Sequence, residues 1–363
     1  MISRRSFLTS GACILGAPFI NRGRFSLFAD TPQSEYSTLT LDLVRSSTVI
    51  DMLGLLSLNY RKVLAWHSNP NAFQDADFQK LRDSGTTVFH QSYGFLNGDV
   101  YSTSLRDIQG WSAFINAHSD KFVRIDGPDD VERAKAQGKI GIVIGQQNSQ
   151  HFRAVEDVDK FYALGQRVSQ LTYNDNSLGG GSTDPKNQPL SDYGARIVER
   201  MNALGMAVDV SHCADRTTFD AIGVSKKPVL ITHSNCRALV ASARCKTDQT
   251  IKAMAEKGGV MGITMVRTFV RAGGQASMSD VLDHIDRVAS LVGVEHVGLG
   301  TDVDLDGRDH AGSPVRKFDL DGVRYSNKIF DVTEGLVRRK YSRDDIESIL
   351  GKNFQRALKA IWS

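Results

Sequence analysis

An α/β chain closed into a (β/α)8, TIM-like barrel is what this sequence predicts, on three observations. Eight short runs rich in Val and Ile are bounded by Gly, Asn and Asp, as parallel strands buried on both faces are. Between them lie stretches with apolar residues at helical spacing. No run leads into G-x-G-x-x-G, the phosphate turn of the rival doubly wound sheet; "LGGGSTD" (178–184) lacks that spacing and reads as a loop.

In chain order the strand runs are "STVIDML" (47–53), "TTVFHQSY" (86–93), "KIGIVIG" (139–145), "VSQLTY" (168–173), "MAVDVSH" (206–212), "PVLITH" (228–233), "GVMGITM" (259–265) and "EHVGLGTD" (295–302). Of the helical stretches, "DADFQKLRDSG" stops at Gly85, "ARIVERMNALG" at Gly205, "DQTIKAMAEKGG" on a glycine pair and "SDVLDHIDRVASLVG" at Gly293. Glycine suits the left-handed residue just past a helix. "SRDDIESILGKNFQRALKAIW" (342–362) predicts helix, glycine break and helix, packed on the barrel.

The 363 residues are 41% hydrophobic and 23% charged, an ordinary globular composition with ample length for a full core. A net charge of +3 without a dense Lys/Arg block argues against nucleic acid or an anionic membrane surface as partner. The first residues, "MISRRSFLTSGACILGAPFI", place Arg4-Arg5 and Phe7-Leu8 before a modest apolar run, the pattern of a twin-arginine export signal. That run is too short for the roughly 20 residues of a spanning helix. Residues 1–29 are therefore expected to be cleaved after Ala29, 30–46 to form a linker or N-terminal segment, and 47–363 a single barrel with C-terminal helices. Twin-arginine export carries folded proteins, which favours a preassembled site in the periplasm. Cys213, Cys236 and Cys245 remain in the mature chain; an odd number gives no complete disulfide framework, and spacing alone does not decide a Cys236–Cys245 pair.

In such a barrel functional side chains gather at the C-terminal strand ends. Those ends carry Asp51, His90 or Tyr93, Gln147, Tyr173, His212, His233 and Asp302. His212 and His233 close consecutive runs and come within reach of one metal ion, for which neutral imidazole is the commonest ligand. Asp302 can take a proton from water activated there. His67, His118, His151, His284, His296 and His310 read as structural or surface residues, and Asp304 and Asp306 as shaping the loop after Asp302.

"GMAVDVSH", "PVLITHSNCRAL", "HVGLGTD" and the closing "ILGKNFQRAL" resemble the membrane (renal) dipeptidase family of zinc peptidases, within the amidohydrolase-like barrels, and the resemblance runs from about Thr48 to Leu358. It implies that His212 and His233 are zinc ligands of one of the family's two metal sites. Arg244 matches the arginine that grips a substrate carboxylate, and Asp302 the aspartate that meets the substrate amine and shuttles protons. The departures fall elsewhere. Where the family has Asp-x-His-x-Asp, this chain has "DMLGL", with Leu53 and Leu55 at the ligand places. Gln147 stands for the bridging glutamate, and a neutral amide bridges two cations poorly. Tyr173 replaces a histidine that polarises the scissile carbonyl, and its hydroxyl can still donate to an oxyanion.

The resemblance therefore implies an exported metallo-dipeptidase that binds one zinc ion rather than two, through His212, His233 and a weaker Gln147 or Asp302. Asp302 and Tyr173 would be catalytic, and Arg244, Tyr173 and Asp302 would bind a small peptide-like substrate. The export machinery is the other expected partner, and a homodimer is compatible with the sequence. Two rival classes remain: a barrel that binds without catalysing, and an enzyme with altered chemistry on a peptide-like compound.

Overall fold

The computed structural model describes residues 35–309 and 317–363. The export signal, Cys13 and His310 lie outside the described residues. The compact unit that carries the strands spans Thr38–Ser363. Its first element is a helix, Thr38–Ser46. Leu43 and Val44 are buried from this helix, and Thr40 donates from it to Glu334 at 2.7 Å.

Nine strands form one parallel sheet among the described residues: β1 Ile50–Asp51, β2 Val88–Tyr93, β3 Phe122–Arg124, β4 Ile140–Gln146, β5 Gln166–Gln170, β6 Ala207–Asp209, β7 Ile231–Ser234, β8 Met261–Ile263 and β9 Val297–Leu299. All eight expected strands are present. The added one, β3, pairs with the first residues of β4 (Phe122↔Ile140), while β5 pairs with its last ones. The strand order runs β6-β5-β4-β2-β1-β9-β8-β7. The ring closes between β6 and β7 through Asp209↔Leu230, with Val210 N donating to Leu230 O and Leu230 N to Val208 O, each at 2.9 Å. The β1–β9 junction is equally brief, a single register pair Asp51↔Leu299.

Strand alternation sorts the core. Phe89, Ile142, Val208, Ile231, Met261 and Leu299 belong to a large cluster with the surrounding helices. Val88, Val143, Val168, Ala207, Leu230 and Val260 form a second cluster with Phe354, Ala357, Leu358 and Ile361 of the closing helix Asn353–Trp362. That helix covers the end of the barrel opposite the strand C-termini: the Phe354 ring fills the space a Cβ on Gly298 would need. The site is thereby left to the other mouth. Cys213, Cys236 and Cys245 are all buried and unpaired. No helix among the described residues is long and apolar enough to cross a membrane.

Candidate active site

The site is built outward from Asp209, the last residue of β6. Its Oδ1 accepts the backbone amides of Ser211 and Thr232, both at 3.0 Å, and the Ser211 hydroxyl. Its Oδ2 accepts the Thr232 hydroxyl at 2.7 Å. The single hydroxyl hydrogen of Thr232 is thus committed to the carboxylate, which only accepts. The contact of Thr232 Oγ1 with His233 Nδ1, at 2.9 Å, must then carry the ring's own proton. His233 is held as the Nδ1–H tautomer, with a bare lone pair on Nε2. That lone pair faces His212 Nε2 at 3.0 Å. Burial, then Arg244, hold both rings well below the usual imidazole range, so both are neutral at pH 7.

The strands are shorter than the apolar runs. His212 lies three residues past β6 and Tyr173 three past β5, both on loops, while His233 sits within β7. The Tyr173 ring nevertheless stacks on His212, with centroids 3.9 Å apart. Burial raises the Tyr173 phenol, and Asp302 raises it further. Arg244 is buried beside them. Its Nη1 donates to Ser211 O (2.8 Å) and Ser234 Oγ (3.3 Å), and its Nη2 to His233 O (2.9 Å). Its Nε–H is buried without a partner, and one Nη2 hydrogen has no protein acceptor either. Asp302 sits across the mouth in a left-handed backbone conformation (φ 58°), its amide bonded to Leu53 O at 2.9 Å. Burial raises its carboxyl against the opposing pull of Arg308 and Arg244.

Two residues that sequence reasoning passed over complete the picture. Arg308 Nη2 donates to Asp302 Oδ1, and its Nε donates to Asp302 O at 2.7 Å. Lys328, fully buried at the start of helix Lys328–Arg338, places Nζ 3.2 Å from Asp51 Oδ2 and donates to Thr301 Oγ1 at 2.7 Å. Nothing local signals either one beyond a lone cation among apolar neighbours in "SNKIFDV".

The remaining candidates make their hydrogen bonds elsewhere, although His90 acts electrostatically on His233. Gln147 directs its side-chain nitrogen to Ser92 O at 2.9 Å. Leu53 and Leu55 are buried. Asp51 is engaged by Thr301 and Lys328. His90 bonds Met52 O through Nδ1 at 2.6 Å, and its unpartnered Nε2 lies against Gly145. Tyr93 donates to Ser57 O. His151 and His284 are bonded on both ring nitrogens elsewhere in the core, His67 packs on Trp111, and His118 and His296 bond backbone carbonyls. Asp304 caps the amides of Leu58 and Asp306, and Asp306 pairs with Lys80.

A closed parallel barrel with paired histidines, an arginine and a carboxylate at its C-terminal mouth belongs to the (β/α)8 architectures that carry their sites on strand-end loops. A profile of the membrane dipeptidase family (peptidase family M19) matches residues 40–362, and the chain belongs to that family. It is 31% identical over 285 residues to an uncharacterized dipeptidase of Schizosaccharomyces pombe, covering 74% of this chain and 65% of that protein. It is 28% identical over 271 residues to the dipeptidase tcpJ of Claviceps purpurea, covering 72% and 61%. The chain thus spans less than two thirds of either relative. Among solved structures, an amidohydrolase from Pseudomonas aeruginosa is similar with a TM-score of 0.76 at 27% identity, covering 89% of this chain and 99% of that one. A metallopeptidase from Rhodobacter sphaeroides, liganded with a phosphinate mimic of the dipeptide L-Ala-D-Ala, shares the fold with a TM-score of 0.73 at 17% identity, covering 87% and 99%.

Membership implies a metal cofactor, and His212 and His233 are the imidazoles the structure brings together at the mouth. The fixed His233 tautomer and the approach of His212 present two imidazole nitrogens of the kind a metal ion takes. Among the described residues no group of three or more His, Cys, Asp or Glu side chains converges as a metal-binding set. Arg244, Arg308 and Lys246 all act on His212, so the surroundings oppose a dication.

Proposed function

We propose that the chain is an exported, metal-dependent hydrolase that cleaves a dipeptide or small peptide-like amide and binds a single zinc ion through His212 and His233. Convergence of the two Nε2 atoms at 3.0 Å, with one ring's tautomer fixed from behind, carries this reading. When bound, the ion supplies Lewis acidity at that point. The chain's own groups do the rest. Arg244 holds a substrate carboxylate with its unpartnered Nε–H and the remaining Nη2 hydrogen. Tyr173, held flat against His212, presents its hydroxyl to the carbonyl oxygen as negative charge develops. Asp302, raised by burial, accepts a proton from water and returns it to the leaving nitrogen.

Zinc titration with parallel amide hydrolysis tests this: about one equivalent should bind, and His233→Ala should abolish both binding and turnover. Two tightly bound ions, or binding untouched in His233→Ala, would place the metal elsewhere. Zinc binding with no hydrolysis of any amide would favour a second reading, a non-catalytic binding barrel, which the buried Leu53 and Leu55 and the Lys328–Asp51 pair support. Export rests on Arg4-Arg5. A reporter fused to residues 1–35 should reach the periplasm and fail to do so after Arg4→Lys with Arg5→Lys; export insensitive to that change refutes it.

A further inference from the structure

We propose that Arg308 makes this site selective for N-acylated amino acids, amides with a free carboxylate and an uncharged, blocked amino end, over dipeptides that carry a free ammonium. This rests on reading the site as an amide hydrolase and adds the substrate class. In the reaction, water oxygen bonds to the acyl carbon, the C–N bond breaks, and the proton goes to the departing nitrogen, giving a carboxylic acid and a free amino acid.

The argument starts from how Arg308 is held. Gly307 turns the chain with φ 83°, and the amides of Arg308 and Asp309 bond the two oxygens of Asp319 at 2.7 and 3.1 Å. Asp309 answers by accepting the amide of Asp319 at 3.1 Å. So braced, the guanidinium takes both the carboxylate and the backbone carbonyl of Asp302, which the left-handed backbone of that residue presents together. Arg308 is fastened to Asp302 through two donors, and its side chain is 26% exposed while that of Asp302 is 8% exposed, so the cation is the more open half of the pair.

The charges then decide what fits. Around His212, His233 and Tyr173 stand Arg244, Arg308 and Lys246, while the two nearest carboxylates are already engaged, Asp209 by Ser211 and Thr232 and Asp302 by Arg308. An incoming ammonium meets a carboxylate whose Oδ1 and charge are already taken by Arg308, with only Oδ2 left to it, and it stands among cations. An incoming carboxylate is drawn to Arg244, whose buried Nε–H has no partner in the protein. An acyl group in place of the ammonium removes the repulsion and keeps the anchor.

N-acetylalanine and glycylalanine form a matched pair, with the same scissile amide and the same carboxylate, differing by one ammonium. Calorimetry on the mature protein with zinc should show N-acetylalanine binding tighter by about tenfold or more, as one unscreened charge in a partly buried mouth would give. Arg308→Ala frees Asp302 and should erase or invert that ratio, and Arg308→Lys, which keeps the charge, should retain most of it. Equal or reversed affinities in the unaltered protein, a ratio unmoved in a folded Arg308→Ala protein, or no binding of either compound overturns the proposal. If the preference holds while neither compound is hydrolysed, this inference stands and the hydrolase reading falls. If glycylalanine is cleaved in preference, the reverse is true.

Discussion

Two seams of this barrel are built alike and finished differently. At β6–β7, Asp209 receives the amide of the residue two ahead, Ser211, and both the amide and the hydroxyl of Thr232 from the next strand. At β1–β9, Asp51 receives the amide of Leu53, two ahead, at 3.3 Å, and the amide and hydroxyl of Thr301 at 2.8 and 2.6 Å. The clamp is the same in both. Past it, the first seam carries Ser211-His212 and His233, the second Leu53-Gly54 and Asp302. In the first, the clamp relays through Thr232 to orient an imidazole. In the second, Thr301 turns to Lys328, a buried ammonium beside a buried carboxylate. The scaffold beneath a site is thus separable from the groups that do chemistry. A buried carboxylate that orients no imidazole still requires a partner of opposite charge.

The largest effect that could break this comparison is expected at Lys328. Lys328→Met leaves Asp51 buried without its counter-charge and should cost about 3–5 kcal/mol in urea unfolding. Adding Asp51→Asn should recover part of the loss. A cost within experimental error would mean that the pair does not hold this seam.

Proton linkage separates the seams next. His212 and His233 are held below the unfolded value of about 6.5 mainly by burial, so between that value and their folded values the unfolded chain binds more protons. Their contribution is present above pH 6.5 and is lost as pH falls below it, by up to about 1.4 kcal/mol per pH unit for each ring. Metal-free protein should therefore lose stability on acidification, and His212→Gln with His233→Gln should flatten that slope. Equal slopes in the two proteins would show that the rings are not buried as neutral groups.

The smallest effect expected is a shift in affinity. Thr232→Val removes the acceptor that fixes the His233 proton, and zinc affinity should fall roughly 10- to 100-fold with the fold intact. The equivalent Thr301→Val should leave zinc affinity unchanged. Equal losses at both positions would erase the functional difference between the seams.

Much of this was legible in the sequence because it depends on local pattern. The Val/Ile runs gave all eight barrel strands, and two of those runs ending in histidine pointed to the pair that meets at 3.0 Å. What escaped depends on distant partners. Lys328 is explained only by Asp51, at the other end of the chain, and Arg308 only by a loop fold that turns it back onto Asp302. β3 lies outside the eight-strand ring order and pairs only with the first residues of β4, so no eight-fold pattern calls for it. Helix Thr38–Ser46 is marked out by its packing, which buries Thr40, Leu43 and Val44. Strands also stop sooner than apolar runs do. Leu171 and Val210 are buried beyond the last paired residues of β5 and β6, so hydrophobicity overestimates where the ladder ends.

The brief closure between β6 and β7 has a consequence for opening motions. With one backbone bridge at Asp209↔Leu230, the next position outward is joined by a carboxylate accepting the Thr232 amide in place of a carbonyl. Exchange of that amide with solvent deuterium should therefore report release of a side chain rather than of a ladder. His212 and His233 stand on opposite sides of this joint, so parting it draws the two rings away from each other. Any ligand shared by both rings would bind only the closed joint, and by mass action its occupancy would set how often the barrel breathes there.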